Sequence, residues 1–109
     1  MRSGIATPGA VAHGVAEREW EIEARYWRAQ YLYQPYYELG RSYAFYAPAY
    51  RVGYEAARER PGEGFEPLVK MMQERLAALD RHAELDWARA APAARAAWLR
   101  VERGRHRTS

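Results

Sequence analysis

Residues 26–57, YWRAQYLYQPYYELGRSYAFYAPAYRVGYEAA, hold all nine tyrosines of this 109-residue chain, and how they are read decides the fold. Fragments such as YLYQPYY have β propensity, but the stretch shows no sustained alternation and is cut by Pro35, which argues against strands. Helical spacing accounts for it better. Just upstream, Trp20, Ala24, Trp27 and Tyr31 recur at i, i+4, i+7 and i+11 and form one apolar stripe. They belong to a helix that opens at Glu17 in EREWEIEARYWRAQYLY, with acids crowded at its start, and that Pro35 ends. Beyond it, Ser42 is placed to cap a short turn through Tyr46. Pro48 suits the first position of a second helix that runs to about Arg60 and carries Tyr50, Tyr54 and Ala57 on one face. Gly53 falls inside this helix at a cost of about 1 kcal/mol relative to alanine, which predicts that another element packs closely against it.

The C-terminal half follows the same logic. PGEG at 61–64 reads as a turn, and Phe65, Leu68, Met72, Leu76 and Leu79 line an amphipathic third helix from Glu66 to His82. In LDWARAAPAARAAWLRVERG, Asp86 is the expected cap, and Trp87, Ala90, Ala91, Ala94, Trp98 and Val101 share one side. Pro92 interrupts that segment, so it either bends at Ala91 or divides in two. The expectation is an all-α protein, a small bundle of about four helices with an aromatic-rich core, broken by proline and glycine turns. Residues 1–15 are expected to be a flexible leader, 16–104 one helical domain and 105–109 a basic tail.

Composition explains why the core should be aromatic. Leu, Ile, Val and Phe number only 16, whereas nine Tyr, four Trp and two Phe each bring on the order of 150–250 Å² of buriable ring surface. The formal net charge is +3, and residues 95–109 carry +4 of it, which leaves the first 94 residues at −1. With no cysteine, disulfides and thiolate sites are excluded. No stretch approaches the roughly 20 apolar residues of a membrane span, and the N-terminus is too broken by Pro8 and glycines for a signal-peptide core. A cytoplasmic protein with no membrane partner is expected.

Motifs for chemistry are scarce. His13, His82 and His106 are scattered, serines occur only at 3, 42 and 109, and no phosphate loop or nucleophile elbow appears. No catalytic residue, cofactor or metal is assigned, and the protein is expected to be non-enzymatic. The tyrosines admit two readings. They line the inner faces of helices with their hydroxyls at the rim, or they form an exposed aromatic surface supported by arginines through cation–π contacts. On the second reading the candidate interaction surface is Tyr36, Tyr37, Arg41, Tyr43, Tyr46, Tyr50, Arg51 and Tyr54, with Tyr36 and Tyr37 the most exposed. It would serve a protein partner or a second copy in a homodimer. Two alternatives stay open: nucleic-acid binding by the Arg-rich C-terminus with exposed tyrosines, and a small molecule in a tyrosine-lined groove.

Over residues 17–103 the chain resembles a family of short, uncharacterised bacterial proteins. The resemblance rests on Tyr46-x-Pro48-Ala49-Tyr50-Arg51-x-Gly53, preceded by Tyr26-Trp27, Pro35-Tyr36 and Gly40 and followed by Trp87 and Ala97-Trp98. Members of that family often have an acid after the residue matched by Tyr43, where this chain has Ala44, and a tryptophan in the third helix, where this chain has none between Phe65 and Asp86. The resemblance implies a loose association with stress-related genes and no established activity.

Overall fold

A computed structural model describes residues 8–79 and 86–108, with side chains described for 17–79 and 86–105. The described residues form four α-helices and no strands: α1 (Pro8–Gln30), α2 (Tyr43–Glu59), α3 (Val69–Leu79) and α4 (Trp87–Thr108). Single 3-10 turns at Tyr31–Tyr33 and Glu66–Leu68 follow α1 and precede α3. The all-α bundle is as the sequence predicts.

Four expectations change in detail. First, α1 starts at Pro8 rather than Glu17, so residues 8–15 of the expected leader are helical, while 1–7 lie outside the described residues. Proline is tolerated in a first turn, and once residues 17–30 are helical each added residue gains one hydrogen bond. Second, the regular helix ends at Gln30, five residues before Pro35. Gln34 then adopts the extended conformation that a following proline enforces. Third, α2 runs unbroken through Pro48, where the sequence predicts a new helix to start; α4 is one helix through Pro92, the undivided of the two expected alternatives. Each proline is the sixth residue of its helix and leaves unbonded the carbonyl four residues back. Those carbonyls belong to Ala44 and Ala88, both exposed, so water can satisfy them. Fourth, the expected basic tail is the last turn of α4, through Thr108. The expected C-terminal end of the third helix, including His82, lies outside the described residues.

α2 is the central element, and it packs most extensively on α4. Paired positions give the directions. Trp20 meets Tyr54, Trp27 meets Tyr50 and Tyr31 meets Tyr46, so α1 is antiparallel to α2. Gly53 lies on Ala94 and the Gly62 amide on Glu102, so α4 runs parallel to α2.

The core has two chemistries. Between α1 and α2 it is aromatic, with Trp27 stacked on Tyr50 at 4.4 Å and 11°. The α4 side is built from alanine: Ala90, Ala93, Ala94 and Ala97 are all fully buried, as are Ala49, Val52, Ala56 and Ala57 of α2. Trp87, Ala91, Trp98 and Val101, expected on the same stripe as Ala90 and Ala94, sit half-buried at its edges. Small residues let the two backbones approach, and Gly53 is the closest point. A Cβ there would stand 2.0 Å from the Ala94 carbonyl oxygen.

Phe65, Leu68, Met72 and Leu76 are buried as expected, with Phe65 against Trp87 and Trp98. Leu79 is half exposed. Asp86 caps α4 through its carboxylate, which accepts from the Arg89 amide at 2.9 Å. Ser42 occupies the N-cap position of α2 without a side-chain hydrogen bond. The 61–64 turn forms with Gly62 and Gly64 at positive φ. It is held from α4 by buried Glu102, which accepts from the Gly62 amide at 3.3 Å.

Candidate functional site

The tyrosine-rich connector between α1 and α2 folds back over α2 because phenol oxygens satisfy its backbone. The Tyr46 hydroxyl accepts from the Glu38 amide at 2.8 Å and donates to the Tyr36 carbonyl at 3.3 Å. Tyr37 accepts from the Gly40 amide at 3.2 Å, and the Tyr36 and Tyr50 hydroxyls share a 2.7 Å bond. Burial disfavours the phenolate, so Tyr36 is pushed up to about 12 even though its bond to Tyr50 acts the other way. Tyr50 is raised further by burial and by the same bond. Tyr43 is also raised by burial, against the opposing pull of Arg28, whose guanidinium stands 5.0 Å from its ring. The Tyr43 hydroxyl has no hydrogen-bond partner among the described residues.

This arrangement corrects the expected interaction surface. Tyr46, Tyr50 and Tyr54 are buried, Tyr50 to 0 % exposure, because their i, i+4, i+8 spacing puts them on the α2 face that α1 covers. Tyr36, Tyr37 and Tyr43 are half-buried, and the exposed tyrosine is Tyr33, at 77 %. Arg41 pairs with Glu38 at 3.3 Å and lies over the Phe45 ring. Arg51 bridges Glu17 and Glu55 beside Trp20. Tyr36, Tyr37, Arg41, Tyr43, Tyr46 and Tyr50 do come together, but as a clamp on the connector. Arg51 and Tyr54 belong to the α1–α2 contact instead.

The clamp holds a residue that sequence reasoning missed. Glu38 to Arg41 form a tight turn closed by the Arg41 amide on the Glu38 carbonyl at 3.0 Å, with Gly40 at φ 91°. Leu39, at the tip, is 95 % exposed. The amides on both sides of it are held by phenols, and the Glu38 carboxylate holds Arg41 and also Arg89 of α4, at 3.4 Å. Gly40 signals the turn in the sequence; nothing there signals that Leu39 stays uncovered.

A groove of about 760 Å³ lies between α1 and α4, lined by Ile22, Tyr26, Trp27, Tyr54 and Leu99. Arg100 of α4 spans it to Glu23 of α1 at 2.8 Å, and Arg58 of α2 pairs with Glu19 along its lining at 2.6 Å. The Glu23 carboxylate also accepts from Trp27 Nε1, and the Arg100 guanidinium sits 3.5 Å from the Tyr26 ring centre. The C-terminal arginines are partly committed too: Arg105 donates to the Ala57 carbonyl at 2.8 Å and pairs with Glu102. No helix among the described residues is long and apolar enough to cross a membrane. No family model, curated protein or solved structure matches the chain.

Proposed function

We propose that the chain is a non-enzymatic protein-interaction module that engages a partner protein or a second copy of itself through Leu39. One observation carries the reading: an almost fully exposed leucine on a turn whose flanking amides are both held by tyrosine hydroxyls. A leucine kept out in water costs free energy that burial in a partner's apolar pocket recovers, and a turn already ordered loses little conformational freedom on binding. The acidic side chains support a non-catalytic role, since Glu17, Glu19, Glu23, Glu38, Glu55 and Glu59 all neutralise arginines.

The test compares the intact chain with Leu39→Asp by sedimentation equilibrium and by affinity capture from a lysate of the source cell. Leu39 contacts no core, so the variant keeps its circular dichroism. Loss of an anchor of this kind costs about 2 kcal/mol, roughly a thirtyfold rise in Kd. Association of the variant as strong as that of the intact chain overturns the proposal.

A further inference from the structure

α1 carries a second stripe that the fold does not use. Trp20, Ala24, Trp27 and Tyr31 face α2 and the core, whereas Arg18, Ile22, Arg25 and Ala29 of α1 repeat at alternate steps of four and three along the outer side, with Ile22 at the edge of the α1–α4 groove; Leu32 of the following 3-10 turn continues the row, and all five are exposed. Ile22 is 67 % exposed, and Tyr33 extends the stripe beside Leu32. Arg18 and Arg25 form no ion pair with any carboxylate among the described residues, nor does Arg28, which lies beside the row with its guanidinium over the Tyr43 ring; Glu21 is the exposed acid on this flank.

Three partners are conceivable for such a face, and each is rewarded differently. A nucleic acid neutralises the arginines but leaves Ile22 and Leu32 in water. A second copy of this face buries the apolar residues but sets Arg18 and Arg25 against their own kind, with one acid to offset three cations. An anionic lipid surface rewards both sets, because apolar side chains sink below the headgroups while guanidiniums on long apolar stems stay at the phosphates.

We infer that the outer face of α1 docks on anionic phospholipid, with Ile22, Leu32 and Tyr33 below the headgroups and Arg18, Arg25 and Arg28 on the phosphates. Attachment is peripheral, reversible and weakened by salt, since few apolar groups insert and the charge attraction is screened. The expectation of no membrane partner rests on the absence of a spanning stretch, which a helix lying on the surface does not require, and this inference departs from it. The inference is independent of the Leu39 reading, because none of its residues belongs to the Glu38–Arg41 turn.

The experiment is co-sedimentation of the full chain with vesicles of phosphatidylcholine alone and of phosphatidylcholine mixed with phosphatidylglycerol. Binding is expected to the mixed vesicles only and to fall with added salt. Arg25→Gln lowers it about fivefold, and the double variant Ile22→Gln/Leu32→Gln lowers it about tenfold or more. All three positions are exposed, so helicity is retained, and circular dichroism checks this. Absence of binding to the mixed vesicles at low salt overturns the inference. So does a double variant that binds as well as the intact chain, which reduces the attraction to charge alone; equal binding to duplex DNA of matched charge then assigns a nucleic-acid partner. A dimer that Ile22→Gln dissociates assigns the face to a second copy and also overturns the lipid reading.

Discussion

At the scale of single residues, the hydroxyl of Tyr46 shows how a core side chain shapes a surface. Its ring is buried between α1 and the connector, while its oxygen takes the Glu38 amide one residue before the Leu39 tip. Tyr46→Phe keeps the ring and removes the acceptor, leaving a part-buried amide unpaired. The expected cost is about 1–3 kcal/mol in a urea titration, with the fold intact. The Glu38 amide should also exchange with deuterium markedly faster, because its bond to the phenol is gone; unchanged exchange at Glu38 would show that the turn does not depend on this phenol. Tyrosine identity was legible in the sequence and its use was not. A phenol looks the same whether its oxygen faces water, a neighbouring hydroxyl or a backbone amide.

At the scale of elements, the contact of α2 with α4 turns on one missing Cβ. Alanine at position 53 should help the helix by about 1 kcal/mol on propensity. The added carbon, however, meets the backbone of Ala94 at 2.0 Å, which no side-chain rotation relieves. Gly53→Ala is therefore expected to destabilise by about 3 kcal/mol, read as a lower thermal midpoint, and a raised midpoint would show that the two helices are not in close approach. The sequence pointed to this approach because an interior glycine asks for a reason. It did not name α4 as the neighbour, nor Ala93 and Ala97 beside Ala94, because alanines on several sides of a helix leave its apolar face poorly defined. Pro48 misled for a related reason, and Pro92 left a bend and a division both open. Their cost depends on whether the freed carbonyl reaches water, and that is settled by which side of the helix faces out.

At the scale of the molecule, pH links the aromatic half of the core to the ionic surface. Tyr36 and Tyr50 are raised above the ordinary value of 10.0 by burial. Folding therefore keeps them neutral, and their contribution is fully present below 10.0; that of Tyr36 is lost as pH rises through about 12, and that of Tyr50 at higher pH still. Glu59 moves the opposite way. Its hydrogen bonds to Arg75 hold it below the ordinary 4.5, so its contribution is present above that value and is lost as pH falls through the lowered one. A plot of urea midpoint against pH should be level near neutrality and decline beyond both ends. On the alkaline side tyrosinate absorbance and loss of helical signal should rise together. Full ionisation of these two phenols with the helices intact would contradict the buried, bonded geometry.

What the sequence determined by itself was local and periodic: helices rather than strands, the inward stripe of Trp20, Ala24, Trp27 and Tyr31, the turn at 61–64 and the Asp86 cap. These depend on residues within a few positions of one another, which spacing and backbone preference report directly. Tertiary structure alone decided which tyrosines are interior, how α4 lies along α2, and that Leu39 and the outer stripe of α1 stay uncovered. Burial is a property of pairs of surfaces, and one strand of text states what each helix offers without stating what comes to meet it.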